Sequence, residues 1–332
     1  MPFIQPPVQP LPAALDFSGL TVMVTGATSG LGLEFSRQYL IRGASTLTLA
    51  VRDIAKGEKT KADLKADPEV QNLNRHADIR VMQFDAASYT SVKNVLDNAN
   101  HELKRLHILM LNAGENGYKY VRTSDGHEQT IQVNHLANAA LIFGLLPLLE
   151  QTGKRTGKQT RISVTGSRMS TTSPFCKDPT RGTEQDVLEY LDDQRNFQGL
   201  TRYGDSKLLI LLFVHRLGKL YGSNEVIINN FCPGMVNTSM TKSLPWYIRA
   251  PASAIRSIRG VRKVEHGGWL GLNAAAVAGP ESHGQLISDN QLEQIDSFYK
   301  SEIAQALEER IWNETIKDVA KVVDAPVWAK RN

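Results

Sequence analysis

The chain is poor in cysteine. Two residues, Cys176 and Cys232, lie far apart in 332 positions and outside any paired-thiol spacing. That is not a disulfide framework, and a reducing, cytoplasmic setting is expected. Dense runs of one charge are also missing. The 38 Lys and Arg against 34 Asp and Glu leave a net charge of +4, too weak and dispersed for a nucleic-acid-binding stripe. Eight histidines are scattered without a His-Glu-x-x-His or comparable spacing, so no protein-bound metal is expected. The longest apolar stretches, near Leu141–Leu149 and Leu208–Val214, fall short of the roughly twenty residues that cross a bilayer, and no membrane span is expected. The first fourteen residues hold five prolines and no basic-then-apolar signal pattern. Residues 1–17 read as an extended, loosely attached arm.

What is present is alternation. Thr21–Thr25, Thr46–Val51, Ile79–Phe84, Ile108–Leu111, Ile162–Thr165, Val226–Phe231 and Gln285–Ser288 are short β-branched or aliphatic runs. Most are nearly continuous in apolar character, as strands buried on both faces are. Between them, Leu31–Arg42, Ile54–Ala66, Ser88–Lys104, Gly126–Glu150, Tyr203–Tyr221 and Glu265–Ala278 carry helical patterns. Strand–helix repetition predicts an α/β domain over 18–290, with a doubly wound parallel sheet of about seven strands and helices on both faces. Two segments break the pattern, residues 168–200 and 239–262. Loops of that length in a compact domain are usually functional or mobile. In the tail, 291–332, apolar residues at helical spacing (Ile303, Leu307, Ile311, Ile316, Val319) predict a helix packed on the outside.

The first strand runs directly into Thr25-Gly26-Ala27-Thr28-Ser29-Gly30-Leu31-Gly32 and then a helix. Glycines permit the tight turn and close approach to a pyrophosphate, and the helix N-terminus offers free N–H groups and partial positive charge. Position after a first strand makes this far more specific than a glycine triplet alone. Twenty residues beyond Gly32, Arg52 ends the second strand. An arginine there suits a 2′-phosphate, where an acidic residue would bind a ribose hydroxyl; the alternative is a plain surface arginine. Asp85, followed by Ala86, ends the third strand. Its carboxylate is either a partner for an adenine amine or a turn cap before Ser88.

Tyr203-Gly204-Asp205-Ser206-Lys207 places a phenol and an ammonium four residues apart on one helix face. A cation about 5 Å from the phenol is worth roughly 3 kcal/mol at an effective dielectric near 20, about two pKa units. That is enough to make a tyrosine a usable acid–base group. Tyr89 and Lys93 share the spacing. They follow the third strand, on the adenine side, whereas Tyr203 follows the fifth, on the nicotinamide side of the switch point.

Thr25-Gly-x-x-x-Gly-x-Gly32, Asn112-Ala113-Gly114, Asn134, Ser167, Tyr203-x-x-x-Lys207 and Pro233-Gly234-x-x-x-Thr238 occur in the order found in the short-chain dehydrogenase/reductases, and the chain resembles that family over roughly residues 18–290. The resemblance implies a Rossmann-type fold, NADP(H) as cofactor and hydride exchange with a small carbonyl or alcohol substrate. It implies that Tyr203 protonates the carbonyl oxygen and Ser167 donates a hydrogen bond to it. Lys207 would lower the phenol's pKa and hold the nicotinamide ribose, and Asn134 would position a water. Asn112, Ala113 and Gly114 would support the sheet beside the cofactor, and Pro233, Gly234, Val236 and Thr238 would contact the nicotinamide end. Two departures stand out. Ser163-Val164-Thr165-Gly166-Ser167 replaces a common Ser-Ser pair, which leaves Ser163 and Ser170 as lesser candidates. The 36 positions from Ser167 to Tyr203 exceed the dozen of compact members. That insertion is expected to wall the substrate pocket and to obstruct the usual oligomer face, leaving a monomer or homodimer.

Pro245, Trp246, Tyr247, Ile248 and Pro251 fall where the family places a substrate lid. They either meet a flat or apolar ligand or simply pack the loop. Arg249, Arg256, Arg259, Arg262 and Lys263 make the region basic, for an acidic group or only for solvent. The general look, including Gly279-Pro280-Glu281-Ser282-His283-Gly284, is similar to fungal reductases that tailor secondary metabolites. Two rivals remain: non-redox use of the same site in epimerisation, dehydration or cyclisation, and a non-catalytic nucleotide sensor.

Overall fold

The computed structural model describes residues 5–178, 185–238, 260–293 and 301–330. Parallel strands β1 (Thr21–Thr25), β2 (Thr46–Val51), β3 (Asp78–Gln83), β4 (Ile108–Leu111), β5 (Thr160–Thr165), β6 (Val226–Cys232) and β7 (Leu286–Ser288) take the order β3-β2-β1-β4-β5-β6-β7. An eighth strand, β8 (Gln291–Leu292), adds antiparallel to β7. The order reverses between β1 and β4, and this is the switch point at which doubly wound sheets bind ligands. The sheet is thus the expected Rossmann-type one, with one more strand. Asp289 and Asn290, at φ 55° and 61°, form the tight turn of that hairpin. Asp and Asn tolerate such left-handed backbone.

Helices α1 (Gly30–Ile41), α2 (Ile54–Ala66), α3 (Pro68–Asn74) and α4 (Tyr89–Glu102) follow the first three strands. Helix α2 starts where Asp53 accepts from the Lys56 amide, and α3 where Asp67 caps it and Pro68 opens it. After β4, α5 runs from Gln129 to Thr156 with a π turn at Gln132–Leu136. This helix is long and apolar enough to pass for a membrane span, contrary to the expectation that no stretch reaches that length. But 89% of its apolar window is buried inside the protein, so its apolar surface is spent on the core. Helices α6 (Val187–Asp192), α7 (Arg202–Leu220), α8 (Val264–Leu272) and α9 (Glu302–Val319) complete the described set.

Two cores sandwich the sheet. One gathers α4, α5, α7 and α9, and the other α1, α2, α3 and α8. Leu307, Ile311 and Val319 of α9 are buried as their spacing predicts, but Ile303 is exposed. Trp312 stacks on Phe213 at 5.1 Å and donates to the Ala329 carbonyl. The described part of the N-terminal arm, residues 5–17, is docked on the domain, not loose. Phe17 is buried against Tyr39, with ring centroids 4.8 Å apart. Gln5 donates to the Met235 carbonyl (3.1 Å) and accepts from the Met235 amide (2.7 Å). The lid residues 239–259, including Trp246, Tyr247 and Arg249, lie outside the described residues.

Candidate active site

The loop after β1 is shaped for a diphosphate. Gly26 and Gly30 hold φ of +66° and +55°. A Cβ on Gly32 would sit 2.3 Å from the Gly26 carbonyl oxygen, so only glycine closes this turn. Ser29 occupies the N-cap of α1 but makes no side-chain cap, leaving the N–H groups of the first turn for an anion. Thr28 and Leu31 are half-buried around it. Thr25 Oγ1 accepts from the Asn112 and Ala113 amides at 2.9 Å each, and Asn112 Nδ2 donates to the Thr25 carbonyl at 3.0 Å. These bonds pin β4's end against the glycine loop. On its far side Thr238 approaches Gly30, with Cγ2 3.5 Å from where a Cβ would be. The residues present therefore fit a nicotinamide dinucleotide across the switch point.

At the adenine side, Arg52 is exposed and has no hydrogen-bonding or ionic partner among the described residues. Its charge reaches Glu115, as does that of Asp85. Asp85 accepts from the Ala87 amide at 3.0 Å. The carboxylate therefore closes a turn whether or not it also meets a base, and Ala86 is buried in the core beside it.

At the nicotinamide side, the constellation read from the sequence comes together. Tyr203 and Lys207 begin α7, both buried, with Lys207 Nζ 5.6 Å from the Tyr203 ring centre. Lys207 donates to the Thr165 carbonyl at 2.7 Å. A Cβ on Gly114 would meet Asn134 Oδ1 at 3.0 Å and Lys207 Nζ at 3.7 Å. The absent side chain is what lets these two groups converge. Asn134 sits in the π turn of α5, a device common at functional sites. Its Nδ2 donates to the Glu115 carbonyl (2.8 Å) and Ser206 Oγ (2.9 Å), and Oδ1 accepts from the Glu115 amide (2.8 Å). Ser167 accepts from the Met169 amide at 3.1 Å and its hydroxyl interacts with the Tyr203 phenol. Of the other candidate serines, Ser163 is engaged inside the sheet, donating to Asn229 Oδ1 at 2.8 Å, whereas Ser170 is buried one turn beyond Ser167, its amide donating to the Ser167 carbonyl at 3.1 Å. Tyr89 is settled as well. Its hydroxyl donates to Asp318 of α9 at 2.5 Å, a structural bond.

The electrostatics differ from the simple pairwise expectation. Burial pushes the Tyr203 phenol up, the nearby Cys232 sulfur adds to this, and the Ser167 hydroxyl acts the other way. Burial pulls the Lys207 ammonium down to about 8. Desolvation is thus the leading cause at both groups. Sequence reasoning missed Cys232, whose Sγ accepts from the Arg168 amide at 3.4 Å, and Ser206, which ties Asn134 to α7. Ser206 lay inside the quoted Tyr-Lys motif, but nothing in the spacing separates it from a filler residue. At the nicotinamide loop, Gly234 holds φ +73°, Val236 bridges to Arg262, and the Pro233 carbonyl accepts from Arg262 at 3.1 Å. A cleft of about 900 Å³ lies between the insertion and α9 and is lined by none of Ser167, Tyr203 and Lys207.

A sheet with this order and a glycine loop at its switch point define a dinucleotide-binding α/β protein. A profile of the short chain dehydrogenase family matches residues 20–174. The chain is 42% identical over 324 residues to the short-chain dehydrogenase/reductase tropG of Talaromyces stipitatus, covering 98% of each. It is 40% identical over 327 residues to the short chain dehydrogenase macD of Penicillium terrestre, covering 98% of this chain and 99% of that one. Among solved structures, a protein of Mycobacterium paratuberculosis superposes with a TM-score of 0.68 at 22% identity, covering 96% of this chain and 100% of the other. The Pseudomonas aeruginosa RhlG/NADP complex superposes with a TM-score of 0.60 at 22% identity, covering 82% and 96%. The chain belongs to the short-chain dehydrogenase/reductase family. It is therefore an oxidoreductase of a family that uses nicotinamide dinucleotides on small molecules.

Proposed function

We propose that the protein is an NADPH-dependent reductase of a ketone on a small apolar or aromatic molecule. The observation that carries this is the convergence of buried Tyr203, Lys207 and Asn134 with half-buried Ser167 beside the glycine loop. NADPH, when bound, supplies the hydride. Tyr203 gives its proton to the carbonyl oxygen as negative charge develops there, while Ser167 donates a hydrogen bond to the same oxygen. Lys207 holds the ribose hydroxyls, and Asn134 fixes the geometry of the proton path through Ser206 and the Glu115 backbone. A phenol whose pKa is raised is protonated at neutral pH, the state a reductase needs at the start of turnover. Arg52, exposed at the end of β2 and in no hydrogen bond among the described residues, supports the 2′-phosphate and hence NADP(H) over NAD(H).

An apolar substrate is supported by Met169 and Leu200, which are 41% and 65% exposed within three residues of Ser167 and Tyr203. The fungal relatives support a tailoring ketoreductase of secondary metabolism. Helix α9 lies over α5 and α7, which favours a monomer or a homodimer formed elsewhere. The unpaired cysteines suit the cytoplasm. The test is to incubate the enzyme with NADPH and a panel of quinones, cyclic ketones and aromatic polyketide-like ketones. One alcohol formed per NADPH oxidised is expected. Product formed without nucleotide oxidation would replace the reading with a non-redox one, and NADPH binding without turnover would replace it with a sensor.

A further inference from the structure

The two helices that carry the proposed chemistry begin at a buried ion pair that no site motif includes. Glu128 is the N-cap of α5, its two carboxylate oxygens accepting from the Thr130 amide (3.1 Å) and the Ile131 amide (3.2 Å). Asn134 follows six residues later. Arg202 is the first residue of α7, next to Tyr203. Both side chains are 0% exposed, and Arg202 Nε lies 3.9 Å from Glu128 Oε2. That separation is a charge contact, not a hydrogen bond. Arg202 also reaches the insertion. Its NH2 donates to the Asn196 carbonyl at 3.4 Å, and its guanidinium lies 5.2 Å over the Phe197 ring. Two further guanidinium nitrogens, Nε and NH1, are buried with no hydrogen bond. A packed apolar side chain would fill this space at lower desolvation cost, and the best-attested use of such a buried charge is to fix registry.

We propose that Arg202 and Glu128 are positioning residues that hold the start of the Asn134 helix against the start of the Tyr203 helix. Neither touches the reacting atoms. The pair acts through one bond that crosses between the helices, Asn134 Nδ2 to Ser206 Oγ at 2.9 Å, and one within α7 that carries it on to the tyrosine, Ser206 Oγ to the Tyr203 carbonyl at 2.8 Å. A slip of α5 relative to α7 breaks the first of these and moves Asn134 away from Lys207. Carboxylate, guanidinium and the Phe197 ring together also anchor the C-terminal end of the insertion to both helices.

This inference rests on the reductase reading, so its test has one arm with turnover and one without. Single-turnover oxidation of NADPH by phenanthrenequinone is measured per bound nucleotide in the parent and in Arg202→Met, Arg202→Lys, Glu128→Gln and the Glu128→Gln/Arg202→Met double variant. We expect Arg202→Met to slow the step at least tenfold with NADPH affinity within threefold, and Arg202→Lys to recover most of the rate. The double variant should be no slower than the slower single variant. Rates within twofold of the parent, a Lys variant as slow as Met, losses that multiply in the double variant, or variants that no longer bind NADPH would each overturn the proposal. In the second arm, hydrogen exchange of Arg202→Met is expected to rise in 129–137 and 202–207 together. A rise in one helix only, or in neither, also overturns it. If the parent shows no turnover but exchange rises in both segments, the reductase reading falls and the pairing stands.

Discussion

His127 offers a quantitative check on how the insertion is held. Its Nδ1 lies 2.8 Å from Asp192 Oδ2 at the end of α6, and its Nε2 lies 3.1 Å from Asp318 Oδ1 of α9, an ion pair bent off the N–H direction. Tyr89 packs edge-on against the imidazole and donates to Asp318, which Lys321 also reaches. Burial opposes the charge on His127, but the two carboxylates outweigh it and push the pKa up from 6.5 to about 9. A rise of that size is worth roughly 3 kcal/mol. Because the folded-state pKa is raised, the stabilisation is fully present below pH 6.5 and is lost as pH climbs through about 9. The perturbation is His127→Gln, and the assay is urea unfolding of parent and variant between pH 6 and pH 10. The parent is expected to be more stable by about 3 kcal/mol at pH 6, the gap shrinking to under about 1 kcal/mol at pH 10. A gap independent of pH, or one that widens in alkali, would refute the assignment of a charged imidazole between Asp192 and Asp318.

Arg52→Asp is expected to weaken NADPH binding at least tenfold while NADH binding changes less than threefold, as read by nucleotide fluorescence titration; equal losses would remove the 2′-phosphate role. Tyr89→Phe deletes a buried hydrogen bond to a carboxylate and should cost about 1.5–3 kcal/mol in urea unfolding. Turnover should stay within a few-fold, and a near-complete loss of turnover would return Tyr89 to the list of acids.

Much of the fold was legible because buried parallel strands are nearly continuous apolar runs. β1, β2 and β4 begin and end where those runs do. Helix α3 went unread although Asp67-Pro68 is a capping signal, because seven residues are too few for periodicity to register. β8 went unread for a similar reason: two exposed residues carry no alternation, and only the Asp289-Asn290 turn marks the hairpin. At the site, Tyr203, Lys207, Ser167 and Asn134 were legible because they recur at fixed places in a strand–helix frame. Arg202 and Glu128 were not, since a pair 74 positions apart meets only through the packing of α5 on α7. The raised phenol was misjudged in direction, because a pairwise Coulomb estimate omits the burial that dominates at Tyr203.

The central claim is that the Tyr203 hydroxyl is the proton donor at the end of a dinucleotide crevice. Single-turnover absorbance of bound NADPH, followed in Tyr203→Phe with the ketone that the parent reduces best, tests it most directly. Nucleotide affinity within threefold of the parent and a reduction rate lower by at least a thousandfold are expected, general acid catalysis and the loss of the phenol's hydrogen bond acting together. A variant that still oxidises NADPH within tenfold of the parent rate would contradict the account.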